Sequence, residues 1–472
     1  MTAQLAAVRD DLVAERQRIN GRGPAAGVPV GDLGRAERLV AEHGHRLRYV
    51  REQRRWLVFG GDRWRPDVTG DAERAAKDTA RRLLTTAAAL EDPEQRTRAA
   101  KEAARAQAEP RIRAMLTLAE TEPGIATAVA ELDRDPFLLA CQNGTLDLRT
   151  GELRDHDPAD LITRGTDVPY DSAATAPRWE RFTAEVFNAD ADLIGFFQRL
   201  VGYTLTGETR EHVLAVMHGS GGNGKSTAVE VVKELHGDLA VTAAFDTFTR
   251  AHGDRGPRND LARLHGARLV TASESGEGRR LDEATVKEVT GGDTIAARFL
   301  YGEHFEFRPA FKLLLVTNHR PRVDGDDDAI WRRLRLIPFE TSFEGREDRH
   351  LAATLRGELP GILAWAVDGC LAWQRDGLGN ATAVTAATSA YRAAEDHLGA
   401  FLADRCQPSG AVAASDLRAA YEAYCAEAGE RPLGGVALGQ RLARRGIHAK
   451  RGAKGSRIYV GVTLDRVTGD GR

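Results

Sequence analysis

The chain has 472 residues, of which 42% are hydrophobic and 29% charged, and its formal net charge is -3. This length predicts several domains, and the near-neutral charge excludes binding of nucleic acid through overall basicity. Four cysteines without CxxC spacing exclude a disulfide framework and a cysteine zinc site. No apolar stretch has the length of a membrane-spanning helix. We therefore expect a cytoplasmic multidomain protein without membrane contacts.

The amino-terminal part is predicted to consist of helices around one small hairpin. The first 25 residues are charged and rich in alanine, which is typical of a helix. Leu47 to Val50 and Trp56 to Phe59 are short apolar runs, and Gly60-Gly61-Asp62 predicts the glycine turn of a hairpin. Residues 70 to 133 are rich in Ala, Arg and Glu, which predicts helices that connect modules. We expect a spacer there and no catalytic site.

The pattern changes at Phe137, where short apolar runs alternate with turns. Asn143-Gly144 predicts the turn of one hairpin, and Thr150-Gly151 predicts the next turn. Helical spacing of apolar residues returns from Trp179 to Leu205. We therefore expect a small antiparallel sheet followed by helices.

A phosphate-binding loop is predicted at Gly219-Ser-Gly-Gly-Asn-Gly-Lys225-Ser226, which has glycines, lysine and hydroxyl at the required spacing. The apolar run Val213 to Met217 precedes it, and apolar residues at helical spacing follow as far as Gly237. Strand, glycine loop and helix form the context in which such a loop binds a polyphosphate. Lys225 would neutralise the β- and γ-phosphate oxygens of a nucleoside triphosphate, and Ser226 would bind Mg²⁺. The alternative is a glycine-rich turn without function. The predicted nucleotide-binding residues are Gly219, Gly221, Gly222, Asn223, Gly224, Lys225, Ser226 and Thr227.

Two further buried strands are predicted to end in polar residues. Arg268 to Ser273 is followed by Glu274, at the edge where an acid polarises the attacking water and approaches Mg²⁺. Phe311 to Thr317 is followed by Asn318, whose amide could orient water or sense the γ-phosphate. Because apolar runs that end in an acid are common, a plain strand end is the alternative interpretation of Glu274.

Trp331-Arg332-Arg333 offers two guanidinium groups in an otherwise ordinary amphipathic segment. Either group could complete the triphosphate site of a neighbouring subunit as an arginine finger, with Arg333 the first choice and Arg332 the second. A pair of surface arginines is the alternative.

The carboxyl-terminal part has its own charge and pattern. From Arg431 to Arg472, ten Lys or Arg residues stand against two Asp. Leu417 to Cys425, Leu438 to Arg444 and Ile458 to Val462 predict helix, helix and strand, an order that fits a small winged-helix module. A solvated basic tail is the alternative.

These motifs together identify a resemblance. Between the strands that end at Glu274 and Asn318 lies Lys287-Glu-Val-Thr290-Gly-Gly-Asp293, which continues to His304. In this order the loop, the acid, this segment, Asn318 and the arginine pair resemble superfamily 3 helicases. The branch is that of phage and plasmid primase-helicases related to the poxvirus primase-helicase. The resemblance covers roughly residues 143 to 340, and nothing from residue 63 to 133 contributes to it.

The resemblance implies a ring of identical subunits, expected to be a hexamer, with ATP and Mg²⁺ bound between subunits. The Thr290 to Asp293 segment leads into a hairpin, and hairpins of the six subunits follow single-stranded DNA through a central pore. Lys225, Glu274, Asn318, Arg332 and Arg333 would be catalytic, and Ser226 and Glu274 would hold the metal. Many relatives have two consecutive acids where this chain has Ser273 and Glu274. With one acid instead of two, few carboxylate oxygens are available to coordinate Mg²⁺ directly. The predicted DNA contacts are Lys287, Arg298, Tyr301, His304, Arg444, Arg445, Lys450 and Arg457.

The fold class expected is α/β, with a P-loop NTPase core of the AAA+-like helicase type. Amino-terminal α/β and helical modules precede this core, and a small winged-helix domain follows it. The predicted domains are a small module (1–70), a helical connector (71–135), an entry or collar region (136–206), the ATPase core (207–378) and the winged-helix-like domain (385–472).

The leading function is an ATP-dependent, ring-forming DNA helicase of a phage, prophage or mobile element, with 3′-to-5′ polarity implied by the resemblance. Its partners would be single-stranded and forked DNA. The alternative is an origin-recognition or assembly protein that uses ATP to close a ring without unwinding. A paired-carboxylate strand followed by a histidine motif is absent before residue 200, so a primase would act in trans.

Overall fold

The computed structural model describes residues 28–250, 259–274, 276, 278–298, 304–323, 328–452 and 456–465. These residues form a mixed α/β fold, as the sequence predicts. The helix predicted in the first 25 residues lies outside the described ranges.

The amino-terminal module joins four helices to a four-stranded sheet. Its elements in chain order are α1 (Gly31–His43), β1 (Leu47–Val50), β2 (Arg55–Phe59), β3 (Trp64–Pro66), α2 (Asp71–Ala88), α3 (Pro93–Ala106), α4 (Glu109–Ala119) and β4 (Ala126–Thr127). The sheet order is β3-β2-β1-β4, so residues distant in sequence close it. Small side chains such as Ala76 and Ala80 are buried between the helices, which allows close helix packing.

The glycine turn predicted at Gly60-Gly61-Asp62 is confirmed. Gly60 donates its N–H to the carbonyl of Arg63 at 3.0 Å, and this turn joins β2 to β3. The β1–β2 connection instead turns at Arg54, a residue other than glycine with φ of 50°. The sequence pattern missed this turn because the left-handed conformation is uncommon for arginine.

A small antiparallel sheet and two helices follow. The elements are β5 (Leu138–Cys141), β6 (Gly144–Asp147), β7 (Glu152–Arg154), α5 (Pro177–Val186) and α6 (Ala191–Leu205). The predicted turns at Asn143-Gly144 and Thr150-Gly151 are confirmed, since they join β5 to β6 and β6 to β7. Asp190 caps α6 by accepting the N–H groups of Asp192 and Leu193 at 3.0 and 3.1 Å.

A parallel five-stranded sheet forms the centre of the chain. The elements of this region are β8 (Leu214–His218), α7 (Lys225–His236), β9 (Ala240–Thr242), α8 (Asn259–Ala262), β10 (Leu269–Ser273), α9 (Glu283–Gly291), β11 (Ile295–Arg298), β12 (His304–Phe307), β13 (Lys312–Thr317), α10 (Asp328–Arg333) and β14 (Leu334–Pro338). The strand order is β14-β8-β13-β10-β9, and all four pairings are parallel. The hairpin β11–β12 lies outside this sheet.

Both faces of the central sheet are covered, as expected for parallel strands. On β8, Ala215 and Met217 belong to the apolar cluster that contains Trp179, whereas Leu214 and Val216 belong to the cluster that contains Trp331. Alternate side chains of β8 therefore enter the two apolar cores, one on each face of the sheet.

Two buried cations hold the amino edge of this sheet against the carboxyl end of α6. Arg268 donates to the carbonyl oxygens of Leu205 at 2.7 Å and Leu138 at 2.8 Å, and Lys312 Nζ donates to that of Thr206. Burial lowers the pKa of Arg268 to about 10. The last carbonyls of a helix carry partial negative charge, so cations are favoured there.

Helices and a second small module complete the described chain. The elements are α11 (Leu351–Gly357), α12 (Leu359–Asp376), α13 (Thr382–Ala394), α14 (His397–Arg405), β15 (Cys406–Gln407), β16 (Ala411–Ala413), α15 (Ala414–Glu427), α16 (Gly435–Arg444), β17 (His448–Arg451), β18 (Arg457–Val460) and β19 (Thr463–Leu464). The predicted helix, helix and strand are present as α15, α16 and β18. Three antiparallel strands, in the order β16-β18-β17, pack with these helices around Leu417, Tyr421 and Leu442. The domain boundaries stay predictions.

Candidate nucleotide site and nucleic-acid surfaces

The carboxyl ends of the central strands bring the predicted nucleotide residues to one edge. Ser273 pairs with Val316, and Thr317 pairs with His218, so Glu274, Asn318 and the loop that begins at Gly219 all follow strands that end side by side. In parallel sheets this edge is where ligands bind.

The loop from Gly219 to Gly224 turns directly into α7. Gly222 and Gly224 have φ of 69° and 83°, a conformation that favours glycine. Helix α7 begins at Lys225, and Ser226 is exposed in its first turn. Backbone N–H groups at such a helix start favour an anion, which suits a phosphate.

Lys225 is buried and donates to three oxygens of its own loop. Its Nζ lies 2.6 Å from the Gly219 carbonyl, 3.0 Å from the Ser220 carbonyl and 2.9 Å from Asn223 Oδ1. Burial lowers the pKa of Lys225. A bound phosphate would give this ammonium group an anionic partner that the loop itself lacks.

Asn223 ties the loop to the end of β14. Its Nδ2 donates to the carbonyl oxygen of Phe339 at 2.9 Å, and the side chain is 3% exposed. The backbone of Gly219 also lies close to Phe339, because a Cβ at position 219 would be 2.1 Å from that carbonyl oxygen. The sequence predicted Asn223 as a nucleotide-binding residue but gave no indication of this contact with Phe339.

Glu274 has one carboxylate oxygen held and one free. Thr317 Oγ1 and the His319 N–H both donate to Glu274 Oε2, the latter at 3.3 Å. Oε1 is buried and has no hydrogen-bond partner among the residues that the structure describes. An unpaired carboxylate oxygen at this edge fits a role in binding water or a metal aqua ligand.

The residues after β13 add positive charge beside the loop. Asn318, His319 and Arg320 are exposed. Burial, together with the charges of Arg320 and Lys225, lowers the pKa of His218 to about 4. Sequence reasoning singled out Asn318 but missed His218, Thr317 and Arg320, since no motif marks them.

The two arginines of α10 differ in environment. Arg332 is exposed and donates to the Asp328 carbonyl at 3.3 Å. Arg333 is half-buried, donates to the Ala329 carbonyl at 2.9 Å and lies beside Gly291 at the end of α9. Both therefore stay candidates, but Arg332 has the more accessible guanidinium.

The Thr290 to Asp293 segment leads into a hairpin. Helix α9 ends at Gly291, Gly292 has φ of 78°, and β11 pairs with β12 in the register Ile295 opposite Phe307. His212 Nδ1 contacts the Thr290 carbonyl at 2.9 Å and braces this turn.

The predicted DNA residues of this region are partly described. Arg298 and His304 form the last described pair of the hairpin. Tyr301 lies in the segment 299–303, outside the described residues. Lys287 lies on α9, 3.7 Å from Glu283.

The predicted DNA residues of the carboxyl-terminal module lie on two elements. Arg444 ends α16, and Lys450 and Arg457 lie on the hairpin β17–β18. Arg445 instead pairs with Asp396 at 2.5 Å, so its charge is partly neutralised.

Three general features bear on ligand chemistry and surroundings. Within the described ranges, no cluster of three or more His, Cys, Asp or Glu residues is arranged to hold a metal ion. A magnesium ion here would therefore need phosphate oxygens beside Ser226 and Glu274. Among the helices that the structure describes, none has the length and apolar character that a bilayer crossing requires. All four cysteines are free and buried.

Two families match separate parts of the chain. Residues 36–188 match the family described as "D5 N terminal like". Residues 217–333, which contain the loop, Glu274 and Asn318, match a family of unknown function. The first match includes residues 63 to 133, for which the motifs gave no resemblance.

Several viral proteins are similar in sequence. "Putative helicase L207/L206" of Acanthamoeba polyphaga mimivirus is 32% identical over 236 residues, which is 49% of this chain and 24% of that protein. "Putative helicase 121R" of Invertebrate iridescent virus 3 is 29% identical over 226 residues, 46% of this chain and 24% of that protein. "Primase D5" of fowlpox virus is 24% identical over 152 residues, 31% of this chain and 19% of that protein. The matched part thus amounts to about a quarter or less of each of these relatives.

A solved structure has a similar fold. The apo form of the NrS-1 C-terminal region superposes with a TM-score of 0.50 at 11% identity, over 92% of this chain and 100% of that one. The sequence matches confirm the resemblance that the motifs indicated, whereas the superfamily 3 assignment stays a prediction. In sequence, the chain is similar to viral putative helicases and to a poxvirus primase.

Proposed function

We propose that this protein is an ATP-dependent DNA helicase that acts in replication as a ring of identical subunits. The observation that carries the proposal is the shared sheet edge, where the loop of Lys225, the free oxygen of Glu274 and the exposed Asn318 meet. The names of the viral relatives support a primase-helicase type of replication protein.

The proposed core is a P-loop NTPase of the AAA+-like type. A buried parallel sheet, with the glycine loop between β8 and α7, supports it. ATP would place its phosphates at the start of α7, and Mg²⁺ would neutralise charge on the phosphate oxygens. Lys225 would exchange its loop carbonyls for phosphate oxygens. Ser226 would bind the metal, directly or with Glu274 through water.

Glu274 is proposed to activate the attacking water. Thr317 and His319 fix one carboxylate oxygen, so the other keeps a defined direction toward the edge. Asn318 lies between Thr317 and His319 and would contact the γ-phosphate. Because Thr317 also binds Glu274, this contact would couple the presence of the γ-phosphate to the position of Glu274. A positioned base of this kind contributes about 10²- to 10⁴-fold to a rate.

Each site is proposed to be completed by Arg332 or Arg333 of a neighbouring subunit. The exposed guanidinium of Arg332 could reach across a subunit boundary, whereas Arg333 would have to leave the α9 turn. An arginine supplied in this way is worth about 10³- to 10⁵-fold in hydrolysis. A hexamer and 3′-to-5′ movement follow from the resemblance and belong to this proposal.

Two surfaces are proposed to hold DNA. The hairpin β11–β12, with Arg298 and His304 near its tip, would contact the single strand inside the ring. The helices α15 and α16 and the hairpin β17–β18 follow the order of a winged helix, with Arg444, Lys450 and Arg457 as contacts. Lys287 would contact phosphate or brace the turn after α9.

Strand displacement on a forked DNA duplex tests this function. The native protein should release the strand in the presence of ATP and Mg²⁺, and Lys225→Ala should not. Lys233→Ala is the matched control, because Lys233 lies on the same helix and pairs with Glu230 at 3.0 Å. Hydrolysis without strand release would favour the alternative, an ATP-switched assembly protein. Unchanged hydrolysis by Lys225→Ala would contradict the nucleotide site itself.

A further inference from the structure

Arg320 is a cation beside the nucleotide site that none of the sequence motifs marks. It lies two residues after Asn318, on the segment that leaves β13. Thr317, the last residue of β13, pairs with His218, the last residue of β8, and Gly219 follows His218 directly. The segment that carries Arg320 therefore starts beside the glycine loop.

The backbone on both sides of Arg320 is held in place. On one side, the His319 N–H donates to Glu274 Oε2 at 3.3 Å. On the other side, the carbonyl of Pro321 accepts the hydroxyl of Tyr391, a fully buried residue of α13. Arg320 thus has a defined place in the chain, next to a residue that binds the carboxylate proposed to activate water.

The guanidinium group of Arg320 is exposed and keeps its charge without an acidic partner. Its Cζ lies 5.8 Å from the centroid of the Tyr391 ring, within the range of a cation–π contact. Among the residues that the structure describes, no carboxylate pairs with it. Arg322, two residues further on, is by contrast paired with Glu430 at 2.8 Å. The ring of Tyr391 therefore positions the Arg320 charge but does not neutralise it.

The charge of Arg320 acts on the same residue as the charge of Lys225. His218 stands between β8 and the loop, and burial, followed by the charges of Arg320 and Lys225, lowers its pKa to about 4. Its imidazole is therefore neutral at physiological pH. Glu274 is one carboxylate against these two cations, and the phosphates of a nucleotide would supply further negative charge.

The γ-phosphate is the part of a nucleoside triphosphate that fits the position of Arg320. Lys225 belongs to the loop that cradles the phosphates, whereas Asn318 and Arg320 follow the neighbouring strand, where the proposed site places the terminal phosphate. A guanidinium group presents a planar fork of N–H donors that matches two phosphate oxygens. Arg320 would therefore meet the γ-phosphate from the subunit that also supplies Lys225.

We propose that Arg320 binds the γ-phosphate of ATP within its own subunit, so that each site contains one arginine in cis besides the arginine of the neighbour. The choice of ATP rests on the proposed function, whereas the free charge of Arg320 beside the loop does not.

Binding of nucleotides with and without a γ-phosphate tests this assignment. Isothermal titration calorimetry with Mg²⁺ compares ADP with an ATP analogue that has an imido bridge between its β- and γ-phosphates and is not hydrolysed. The test variant is Arg320→Ala. Arg322→Ala is the matched control, because Arg322 lies on the same segment but its charge is paired with Glu430.

Arg320→Ala should lose about tenfold or more in affinity for the analogue, as expected for a hydrogen bond to a charged group, and less than about twofold for ADP. The control should bind both nucleotides as the native chain does. Arg320→Gln removes the charge but keeps much of the side-chain length. It should show the same selective loss, and it decides the outcome if thermal unfolding shows that Arg320→Ala is not folded.

Two results would overturn the proposal. One is an affinity for the analogue that equals that of the native chain. The other is an equal loss for both nucleotides, which would mean that Arg320 supports the fold beside Tyr391 without contacting the γ-phosphate. A native chain that binds neither nucleotide would instead contradict the nucleotide site itself, so the two failures are distinct.

Mixing of variants tests whether Arg320 acts in cis. Arg320→Ala mixed with Lys225→Ala should hydrolyse ATP no faster than the sum of the separate rates, because the subunit that supplies the loop lacks one of the two residues in every site. The mixture of Lys225→Ala with Arg332→Ala or Arg333→Ala, which should exceed its sum, is the reference. Activity of the first mixture above its sum would assign Arg320 to the site of the neighbouring subunit and overturn the proposal.

Discussion

Asn223 and Lys225 share a hydrogen bond of 2.9 Å inside the glycine loop, and the amide of Asn223 simultaneously holds the Phe339 carbonyl at 2.9 Å. The cation that would meet the phosphates is thereby connected to the residue that follows β14. Because β14 itself follows the arginine-bearing helix α10, the loop and the proposed finger belong to one continuous piece of structure.

Asn223→Ala should weaken ATP binding while the fold persists. The variant frees Lys225 from one acceptor and leaves the Phe339 carbonyl without its donor, so the loop loses its defined position. We expect KM for ATP to rise about tenfold, equivalent to about 1.4 kcal/mol. Steady-state ATP hydrolysis measures it. Ser220→Ala is the control, because only the Ser220 carbonyl contacts Lys225; equal KM values for Asn223→Ala and the native chain would contradict the role of Asn223.

Two glycines of the loop should respond differently to the same methyl group. Gly219→Ala would place Cβ 2.1 Å from the Phe339 oxygen and 2.3 Å from Asn223 Nδ2, whereas a Cβ on Gly221 meets nothing within 4 Å. We expect Gly219→Ala to abolish nucleotide binding and Gly221→Ala to retain it within a few fold. Titration with a fluorescent ATP analogue measures the two affinities. Similar affinities for the two variants would contradict the close contact between Gly219 and the Phe339 carbonyl.

Glu274→Gln should separate binding from hydrolysis. The amide keeps the size of the side chain but cannot accept a proton from water, so ATP should bind while turnover falls by about 10² or more. Equilibrium binding and single-turnover hydrolysis measure the two steps. Turnover at the native rate would assign the base to another residue.

Acid should destabilise the protein through buried His236. Its pKa is lowered from 6.5 to about 4 by burial, so the neutral form is the one that the fold accommodates. A group with a lowered folded-state pKa contributes its full stability above the unfolded value, and the contribution is lost as pH falls from 6.5 toward 4. The loss is at most about 3 kcal/mol.

Thermal unfolding between these pH values checks this expectation. His236→Gln should flatten the dependence of the melting temperature on pH, and His350→Gln, at an exposed position, should not. If His236→Gln and the native chain lose stability in parallel, His236 does not carry the effect.

Local patterns were sufficient for the parts of the site that are contiguous in sequence. The loop, its flanking strand and helix, Glu274 and Asn318 could be located because apolar runs and glycines mark strand ends. The resemblance supplied the expected order of Asp293, the hairpin and the arginine pair.

The contacts that join distant segments could not be predicted in this way. Nothing near Asn223 indicates that its partner is Phe339, and nothing near Arg320 indicates that its side chain lies over the ring of Tyr391. Arg54 adopts a left-handed conformation that is uncommon for arginine, which is why the sequence did not indicate the turn between β1 and β2. Such features depend on packing between elements rather than on local sequence.

Mixing two inactive variants tests the central claim most directly. The claim is that one ATP site is built from Lys225 and Glu274 of one subunit and Arg332 or Arg333 of its neighbour. Lys225→Ala and either Arg332→Ala or Arg333→Ala should each hydrolyse ATP poorly alone, because every site in such a ring lacks one component. Mixed, they form some sites with both components, so hydrolysis should exceed the sum of the separate rates. A mixture no more active than that sum, for both arginine variants, would contradict a site shared between subunits.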